Sequence, residues 1–195
     1  MKTICYGDSI TWGWDPRMGA GTKIRSYVEE LAFSMGGVWI SEGLPGRKVP
    51  ADDRARRFFV DCLRRNPDAD RCIVLLGTND LLESGGSEES ICRIARNLGR
   101  MILEGKTRLP ACAFWLAVPP EIRGKEREGR RLREEIRALG EREHCGWIDL
   151  MEEQVSLFFD GIHPDETGQR QIAGMIRREI LKTHRDADPE RGGMT

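Results

Sequence analysis

The sequence predicts an α/β protein in which a parallel β-sheet lies between two layers of helices. Short apolar segments of strand length alternate along the chain with longer segments in which apolar residues recur every three or four positions. Two of the strand segments, IVLLG and AFWLAV, are apolar at nearly every position, which is typical of strands covered on both faces. Strands that alternate with helices form a parallel sheet through right-handed crossovers.

Five segments have the length and composition of strands. They are residues 3–6, 38–40, 71–76, 112–118 and 147–150. Five others have helical periodicity, as Val28 and Leu31 show in the first of them. They are residues 24–35, 51–65, 87–104, 125–143 and 166–183. We therefore expect a five-stranded sheet in a single domain over residues 1–183, followed by a flexible C-terminal tail over residues 184–195.

The composition describes an ordinary soluble domain. The chain has 195 residues, of which 39% are hydrophobic and 32% charged, and its net charge is −1. This balance argues against nucleic acid or an anionic membrane as the main partner, because both select a basic surface. The N-terminus lacks the apolar run of a signal peptide, and no window approaches a membrane span. The six cysteines form no CxxC pair, so we expect a reduced, cytoplasmic protein, and the sequence leaves a homo-oligomer open.

The residues that follow each strand are the candidates for chemistry, because ligands of an open parallel sheet bind beyond the carboxyl ends of its strands. Asp8 and Ser9 follow the first predicted strand, the loop 41–47 follows the second, Asn79 follows the third, and the stretch 160–168 precedes the last helix. A serine, glycine-bearing loops, an asparagine and an Asp-x-x-His pair therefore meet at one edge. These are the parts that acyl transfer requires: a nucleophile, oxyanion donors, and a base with the group that orients it.

A histidine base must be one of the three histidines in the chain. His144 lies where a strand begins, at the opposite edge of the sheet, and His184 lies in the predicted tail. His163 lies at the right edge and follows Asp160 after a two-residue gap. A turn can fold the Asp160 carboxylate back onto Nδ1 of His163, which leaves Nε2 free for Ser9. The sequence therefore favours His163 as the base.

Four motifs resemble the sequence blocks of a known enzyme family. GDSIT, the loop that ends at Gly46, GTND and DGIH are similar to the blocks of the SGNH (GDSL) hydrolases, and they occur in the family's order. GDSITWGW together with EGLPGR and GTND resembles more narrowly the arylesterase/acyltransferase branch. The resemblance implies a flavodoxin-like three-layer α/β/α sandwich, and serine hydrolysis of small-molecule esters without a cofactor or a metal.

The resemblance also implies a role for each matching residue. Ser9 is the expected nucleophile, His163 the base and Asp160 its orienter. The oxyanion hole is expected to consist of the Ser9 amide, the Gly46 amide and the Asn79 side chain. Many members have Asn-x-Gly in the second loop, where this chain has Ser-Glu-Gly ending at Gly43, so Gly43 stays an alternative to Gly46.

Three residues around the expected nucleophile are assigned to the substrate pocket: Asp8, Trp12 and Trp14. The tryptophans have two interpretations, since they can form walls of an acyl pocket or fill the space above the sheet. As walls they would favour short acyl groups. The hypothesis is therefore a serine esterase for short-chain, acetyl-type esters that forms an acyl-enzyme and releases it to water or to an alcohol.

Each motif also has a structural interpretation, and other functions have to be weighed. Gly-Asp-Ser is common in turns, Asn79 can cap a helix, and His163 can stand at a helix entry. The alternatives are an SGNH enzyme for acetylated sugars or lysophospholipids, a catalytically silent carbohydrate-binding relative, and a receiver or flavin-binding module on the same fold. A receiver would need a lysine after the fifth strand, and the bulky TWGW replaces the phosphate loop of a flavin module.

Two further features receive plain interpretations. Asp160, His163 and Asp165 lack a fourth partner and would make a poor metal site. Acids and bases alternate at helical spacing over residues 124–143, which favours a solvated helix over an RNA-binding one.

Overall fold

The computed structural model describes residues 1–18, 21–83 and 86–187, with side chains up to residue 183. The strands are β1 (Lys2–Gly7), β2 (Val38–Gly43), β3 (Arg71–Leu75), β4 (Ala113–Val118) and β5 (Gly146–Asp149). The helices are α1 (Ser9–Trp12), α2 (Tyr27–Met35), α3 (Asp53–Arg65), α4 (Thr78–Glu83), α5 (Glu88–Arg108), α6 (Glu126–Arg142) and α7 (Glu166–Ala187). None of these helices is long and apolar enough to cross a membrane.

The strands form one sheet in the order β2-β1-β3-β4-β5, and every neighbouring pair is parallel. The order places β1 between β2 and β3 and reverses direction at β1, so the sheet has a switch point beside that strand. The predicted five-stranded parallel sheet in a three-layer α/β/α sandwich is confirmed.

Each face of the sheet is covered by its own helix layer. Alternate residues of β1 show the division, because Ile4 and Tyr6 belong to the core under α3, α5 and α6, and Cys5 belongs to the core under α2 and α7. Ile73 of β3 is fully buried in the second core. Burial on both faces explains why the central strands read as continuous apolar runs.

The cysteines of the strands act as small apolar core residues. All six cysteines are free thiols, and Cys5, Cys62, Cys72 and Cys112 are buried. Burial raises the pKa of the Cys5 thiol to about 12, so this thiol stays protonated and unreactive near neutral pH.

Several boundaries differ from the predicted ones. The short helices α1 and α4 follow β1 and β3 after one and two residues and were not predicted, because neither is long enough to carry a periodic pattern. β2 continues to Gly43, beyond the predicted end at residue 40. α7 continues to Ala187, so the first residues of the predicted tail are helical. The rest of that tail, residues 188–195, lies outside the described residues.

Gly7 allows the tight turn between β1 and α1, and its replacement tests that turn. A Cβ at this position would overlap Oγ1 of Thr11 and would lie 2.8 Å from the backbone oxygen of Leu75. We expect Gly7→Ala to lower the free energy of unfolding by about 2–3 kcal/mol, because a backbone oxygen cannot move aside as a side chain can. Denaturant unfolding followed by circular dichroism measures the change.

Gly174 provides the matched control. It lies inside α7, and a Cβ there would meet no atom within 4 Å. Gly174→Ala should therefore raise stability by about 0.5–1 kcal/mol through helix propensity. Equal effects of the two alanines would contradict the packing argument for Gly7.

Candidate active site

Ser9 is the first residue of α1, at the point where the chain leaves β1. Asp8 is the N-cap of this helix, and its Oδ1 accepts a hydrogen bond from the amide of Ile10 at 2.9 Å. This bond closes the turn and fixes the direction in which the Ser9 side chain leaves the backbone. Ser9 is 5% exposed, so little of the residue is open to solvent.

His163 connects Ser9 to Asp160. Its Nε2 lies 2.9 Å from Oγ of Ser9, and its Nδ1 lies 2.6 Å from Oδ2 of Asp160. With the ring proton on Nδ1, Nδ1 donates to the carboxylate and Nε2 accepts from the serine hydroxyl. The three side chains thus form a hydrogen-bonded series in the order expected of a nucleophile, a base and an orienting acid.

The environment of Asp160 keeps it ionised. Partial burial raises the pKa of its carboxyl, but hydrogen bonds from the His163 ring and from the amides of Ile162 and His163 outweigh this effect, so the pKa lies below its usual value. Both amides donate to Oδ1, at 3.0 and 3.1 Å. The carboxylate is therefore held in place by its own turn and is available to stabilise a protonated imidazole.

The turn that carries Asp160 and His163 is fastened at both ends. The amide of Arg123 donates to the backbone oxygen of Gly161 at 2.9 Å, and the amide of Phe158 donates to the backbone oxygen of His163 at 2.8 Å. Asp165 then accepts hydrogen bonds from amides at the start of α7, including that of Gly168 at 2.8 Å. His163 thus lies two residues before Asp165, which caps α7, and this limits its backbone freedom.

Gly46 and Gly43 differ in what surrounds them. Gly43 pairs with Gly7 in the sheet, and a Cβ on it would overlap the backbone of Trp12. Gly46 lies in a turn at φ +77° with open space around its α-carbon. In the described part of the chain the Gly46 amide has no backbone acceptor. This arrangement favours Gly46 over Gly43 as a donor to a ligand.

Asn79 lies at the start of α4, directly beyond the end of β3. Its Nδ2 donates to the backbone oxygen of Arg47 at 3.0 Å and to Oδ2 of Asp8 at 3.3 Å. Because both neighbours are acceptors, the amide nitrogen and not the amide oxygen must face them. Asn79 is therefore tied to the loop that carries Gly46 and to the residue that precedes Ser9.

The three residues assigned to the pocket lie in different places. Trp14 is beside the base, with its ring centroid 6.3 Å from that of His163. Trp12 packs near the end of β2, with Nζ of Lys23 5.5 Å from its ring centroid. Asp8 has no exposed surface at all, so its carboxyl does not form a wall of a solvent-accessible pocket.

No group of three or more His, Cys, Asp or Glu side chains that could hold a metal ion occurs among the residues with described side chains. Asp165 uses its Oδ2 to accept a hydrogen bond from the Ser156 hydroxyl at 2.6 Å, while Asp160 and His163 bond to each other. The site residues are therefore engaged in a hydrogen-bond network of their own.

Sequence reasoning missed two side chains that hold the site together. Gln169 of α7 is 1% exposed, accepts from the amide of Tyr27 at 2.8 Å and donates to the backbone oxygen of Ile10 at 3.1 Å. Arg47 donates to the backbone oxygen of Gly7 at 2.8 Å and lies over the ring of Tyr6. Arg47 ends the EGLPGR motif and Gln169 lies outside the motifs, and only the fold brings the partners of either side chain close.

Comparisons with known proteins agree with this geometry. A family model of the GDSL-like lipase/acylhydrolase family matches residues 5–171, so the chain belongs to that family and is an SGNH-type hydrolase. A comparison with curated proteins gives no significant match.

Solved structures share the fold. Est24, a carbohydrate acetylesterase from Sinorhizobium meliloti, is 19% identical with a TM-score of 0.77, over 93% of this chain and 99% of that one. The aryl esterase of M. smegmatis is 24% identical with a TM-score of 0.78, over 93% of this chain and 98% of that one. At these sequence identities the comparisons show a shared fold and nothing more specific.

The two bonds of Gln169 can be tested by an apolar replacement of similar size. Gln169→Leu removes the acceptor of the Tyr27 amide and leaves the Ile10 carbonyl with its 3.3 Å bond from the Gly13 amide. A buried amide without a partner costs about 1–3 kcal/mol, so we expect the free energy of unfolding to fall by about 1–3 kcal/mol in denaturant titrations. The exposed Gln154 serves as the control, since Gln154→Leu should change stability by less than about 0.5 kcal/mol. A native-like Gln169→Leu protein would show that the connection is unimportant.

Proposed function

We propose that the protein is a serine esterase that hydrolyses short-chain acyl esters, of the acetyl type, through an acyl-enzyme. The observation that carries the proposal is the hydrogen-bonded series from Asp160 through His163 to Ser9, in a chain of the GDSL-like acylhydrolase family. A purely structural turn does not require a carboxylate, an imidazole and a hydroxyl aligned in this way.

In the first half-reaction, Nε2 of His163 takes the hydroxyl proton as Oγ of Ser9 attacks the ester carbonyl. The imidazolium that forms is stabilised by the ionised Asp160, at 2.6 Å from Nδ1. The tetrahedral intermediate collapses when the imidazolium returns its proton to the leaving alcohol. Ser9 then carries the acyl group as an ester.

The second half-reaction repeats these steps with an incoming hydroxyl. His163 takes a proton from water, or from an acceptor alcohol, which attacks the acyl-enzyme carbonyl. Collapse of the second intermediate releases the carboxylic acid or the new ester, and the proton returns to Ser9. Hydrolysis and acyl transfer thus differ only in the nucleophile that enters the site.

The negative oxygen of both intermediates needs donors that are already in place. The proposed donors are the Ser9 amide, the Gly46 amide and Nδ2 of Asn79, which come from the ends of β1, β2 and β3. Removing one such donor typically costs a factor of about 10²–10³ in turnover.

The proposal specifies the acyl group more closely than the alcohol. Support for a short acyl group comes from the small exposed area of Ser9 and from the Trp14 ring beside His163. The similar structures carry names that differ in the alcohol, since one is a carbohydrate acetylesterase and another an aryl esterase. Acetylated sugars therefore stand beside aryl esters as candidate substrates.

A fluorophosphonate probe tests the nucleophile. It should label the native protein once, on Ser9, and Ser9→Ala should lose both labelling and the hydrolysis of p-nitrophenyl acetate. His163→Ala should lose about as much turnover as Ser9→Ala, because the members of such a triad act as a unit. Asp160→Asn should cost up to about 10⁴, the loss known for this change in a protease triad. Peptide mapping that finds the adduct on another serine would exclude the mechanism.

A series of p-nitrophenyl esters tests the acyl pocket. Acetyl and propionyl esters should be turned over at least about tenfold faster than the octanoyl ester. A closed acyl pocket cannot hold the whole octanoyl chain, so part of that chain would stay in water. Trp14→Ala should narrow this difference more than Trp12→Ala, because the Trp14 ring is the one beside His163. Equal turnover across chain lengths in the native protein would assign both tryptophans to packing.

A further inference from the structure

Asp8 is a buried carboxyl beside the nucleophile that the proposed mechanism leaves unused. The Asp8 side chain has no exposed surface. The guanidinium of Arg47 donates to the backbone oxygens of Gly7 and Glu42 and not to this carboxyl. A carboxyl held without water needs a reason, because burial of the charged form is costly.

The two oxygens of Asp8 have different partners. Oδ1 accepts the amide of Ile10 at 2.9 Å and so closes the turn that carries Ser9. Oδ2 accepts Nδ2 of Asn79 at 3.3 Å. A single side chain therefore contacts both the backbone of the nucleophile turn and the side chain of a proposed oxyanion donor.

The amide of Asn79 carries two hydrogens, and its two acceptors account for both. The bond to the Arg47 oxygen, at 3.0 Å, fixes the amide to the loop that carries Gly46. The contact to Asp8 is longer, and a hydrogen held at this distance can be shared with a third atom in a three-centre bond. An oxyanion formed on a Ser9 ester can therefore use the hydrogen that Asp8 directs.

We propose that Asp8 is a positioning residue of the oxyanion hole, whose carboxylate aims the Asn79 amide while its other oxygen fixes the Ser9 turn. This inference rests on the function proposed above. Asp8 acts through Asn79 and through the backbone, and it does not touch the substrate.

The charge of Asp8 makes this positioning depend on pH. Burial raises the pKa of the Asp8 carboxyl to about 7, although the Ile10 amide and the nearby Thr78 hydroxyl favour the ionised form, and Asp80 raises the pKa further. Tyr27, on the α2 side, stays neutral because burial raises its own pKa well above the usual value. A carboxylate accepts a stronger hydrogen bond than a neutral acid. The hydrogen bond by which Asp8 orients the Asn79 amide should therefore be strong above about pH 7 and should weaken as the pH falls through that value.

Asp8→Asn separates the two roles of the side chain. The new amide oxygen can still accept from Ile10, but the new amide nitrogen faces Asn79 and cannot accept from it. We expect kcat for p-nitrophenyl acetate to fall by at least about tenfold at about pH 9, with KM changed less than about twofold, because a misdirected donor loses part of the 10²–10³ that such a donor supplies. Asp52→Asn, which changes the exposed carboxyl that caps α3, should leave kcat unchanged.

The pH dependence distinguishes positioning from a loss of stability. The ratio of native to Asp8→Asn kcat should shrink towards about one at about pH 5.5, since a protonated Asp8 is uncharged like the amide that replaces it. A ratio that is constant with pH would overturn the inference. A variant faster than the native protein at high pH would also overturn it, because the charge would then act by repelling the oxyanion.

A double-mutant cycle tests whether Asp8 acts through Asn79. In an Asn79→Ala background, Asp8→Asn should lower kcat by less than about twofold, whereas independent roles would give additive losses.

If the Asp8→Asn protein does not fold, carbon-13 NMR of the Asp8 carboxyl still tests the inference. Its pKa should rise in Asn79→Ala if the bond exists, and an unchanged pKa would overturn the inference.

A failure of this inference can be distinguished from a failure of the proposed function. Activity that survives in Ser9→Ala would end the serine mechanism, whatever Asp8 does. An inactive Ser9→Ala protein combined with an Asp8→Asn protein of native kcat at every pH would end only the role of Asp8.

Discussion

The in-register pairing of β1 with its two neighbours is the constraint on which the site depends. Gly7 lies opposite Gly43 of β2 and Leu75 of β3, so the three strands end at the same level. The residues that follow them therefore emerge side by side, although they are far apart in the sequence. Because the side-chain period of a strand is two residues, a one-residue slip would exchange the faces of a strand buried on both sides, and the two cores do not permit it.

The other half of the site comes from the turn before α7, and α7 itself returns to the nucleophile. Gln169 connects this helix to the backbone of Ile10 and to the start of α2 at Tyr27. The helix that follows His163 is thus hydrogen-bonded to the helix that begins with Ser9. This connection explains how a base and a nucleophile from opposite ends of the chain keep a separation of 2.9 Å.

Two carboxyls on either side of Ser9 have opposite environments. Asp160 is partly exposed and receives hydrogen bonds from an imidazole and two amides, so its pKa is low and its charge is available to the base. Asp8 is fully buried, and its pKa is raised to about 7. Pairs of titratable groups whose surroundings push their pKa values apart commonly have distinct roles in an active site. We assign Asp160 to the orientation of the proposed base and Asp8 to the proposed oxyanion hole.

Most of the fold could be predicted from the pattern of apolar residues in the sequence. Continuous apolar runs and helical periodicity predicted five strands and five longer helices, because burial on two faces or on one stripe leaves a direct trace in the sequence. The short helices α1 and α4 left no such trace, since their formation depends on the turns after β1 and β3. The extension of α7 to Ala187 was missed for a related reason, because residues 184–187, HRDA, carry no apolar periodicity in the sequence.

The sequence by itself determined the sheet, the identity of the candidate triad and the edge at which the triad lies, because each of these depends on residue type and on order along the chain. Only the tertiary structure shows that Gly46 has open space around it while Gly43 packs against Trp12, and that Asp8 is fully buried. It alone also places Gln169 and Arg47 against the backbone near Ser9. These features depend on distances between segments that are remote in sequence, and on which polar groups lose their water. Neither quantity is encoded in a local pattern, since both arise only when the strands pair and the helix layers close over them.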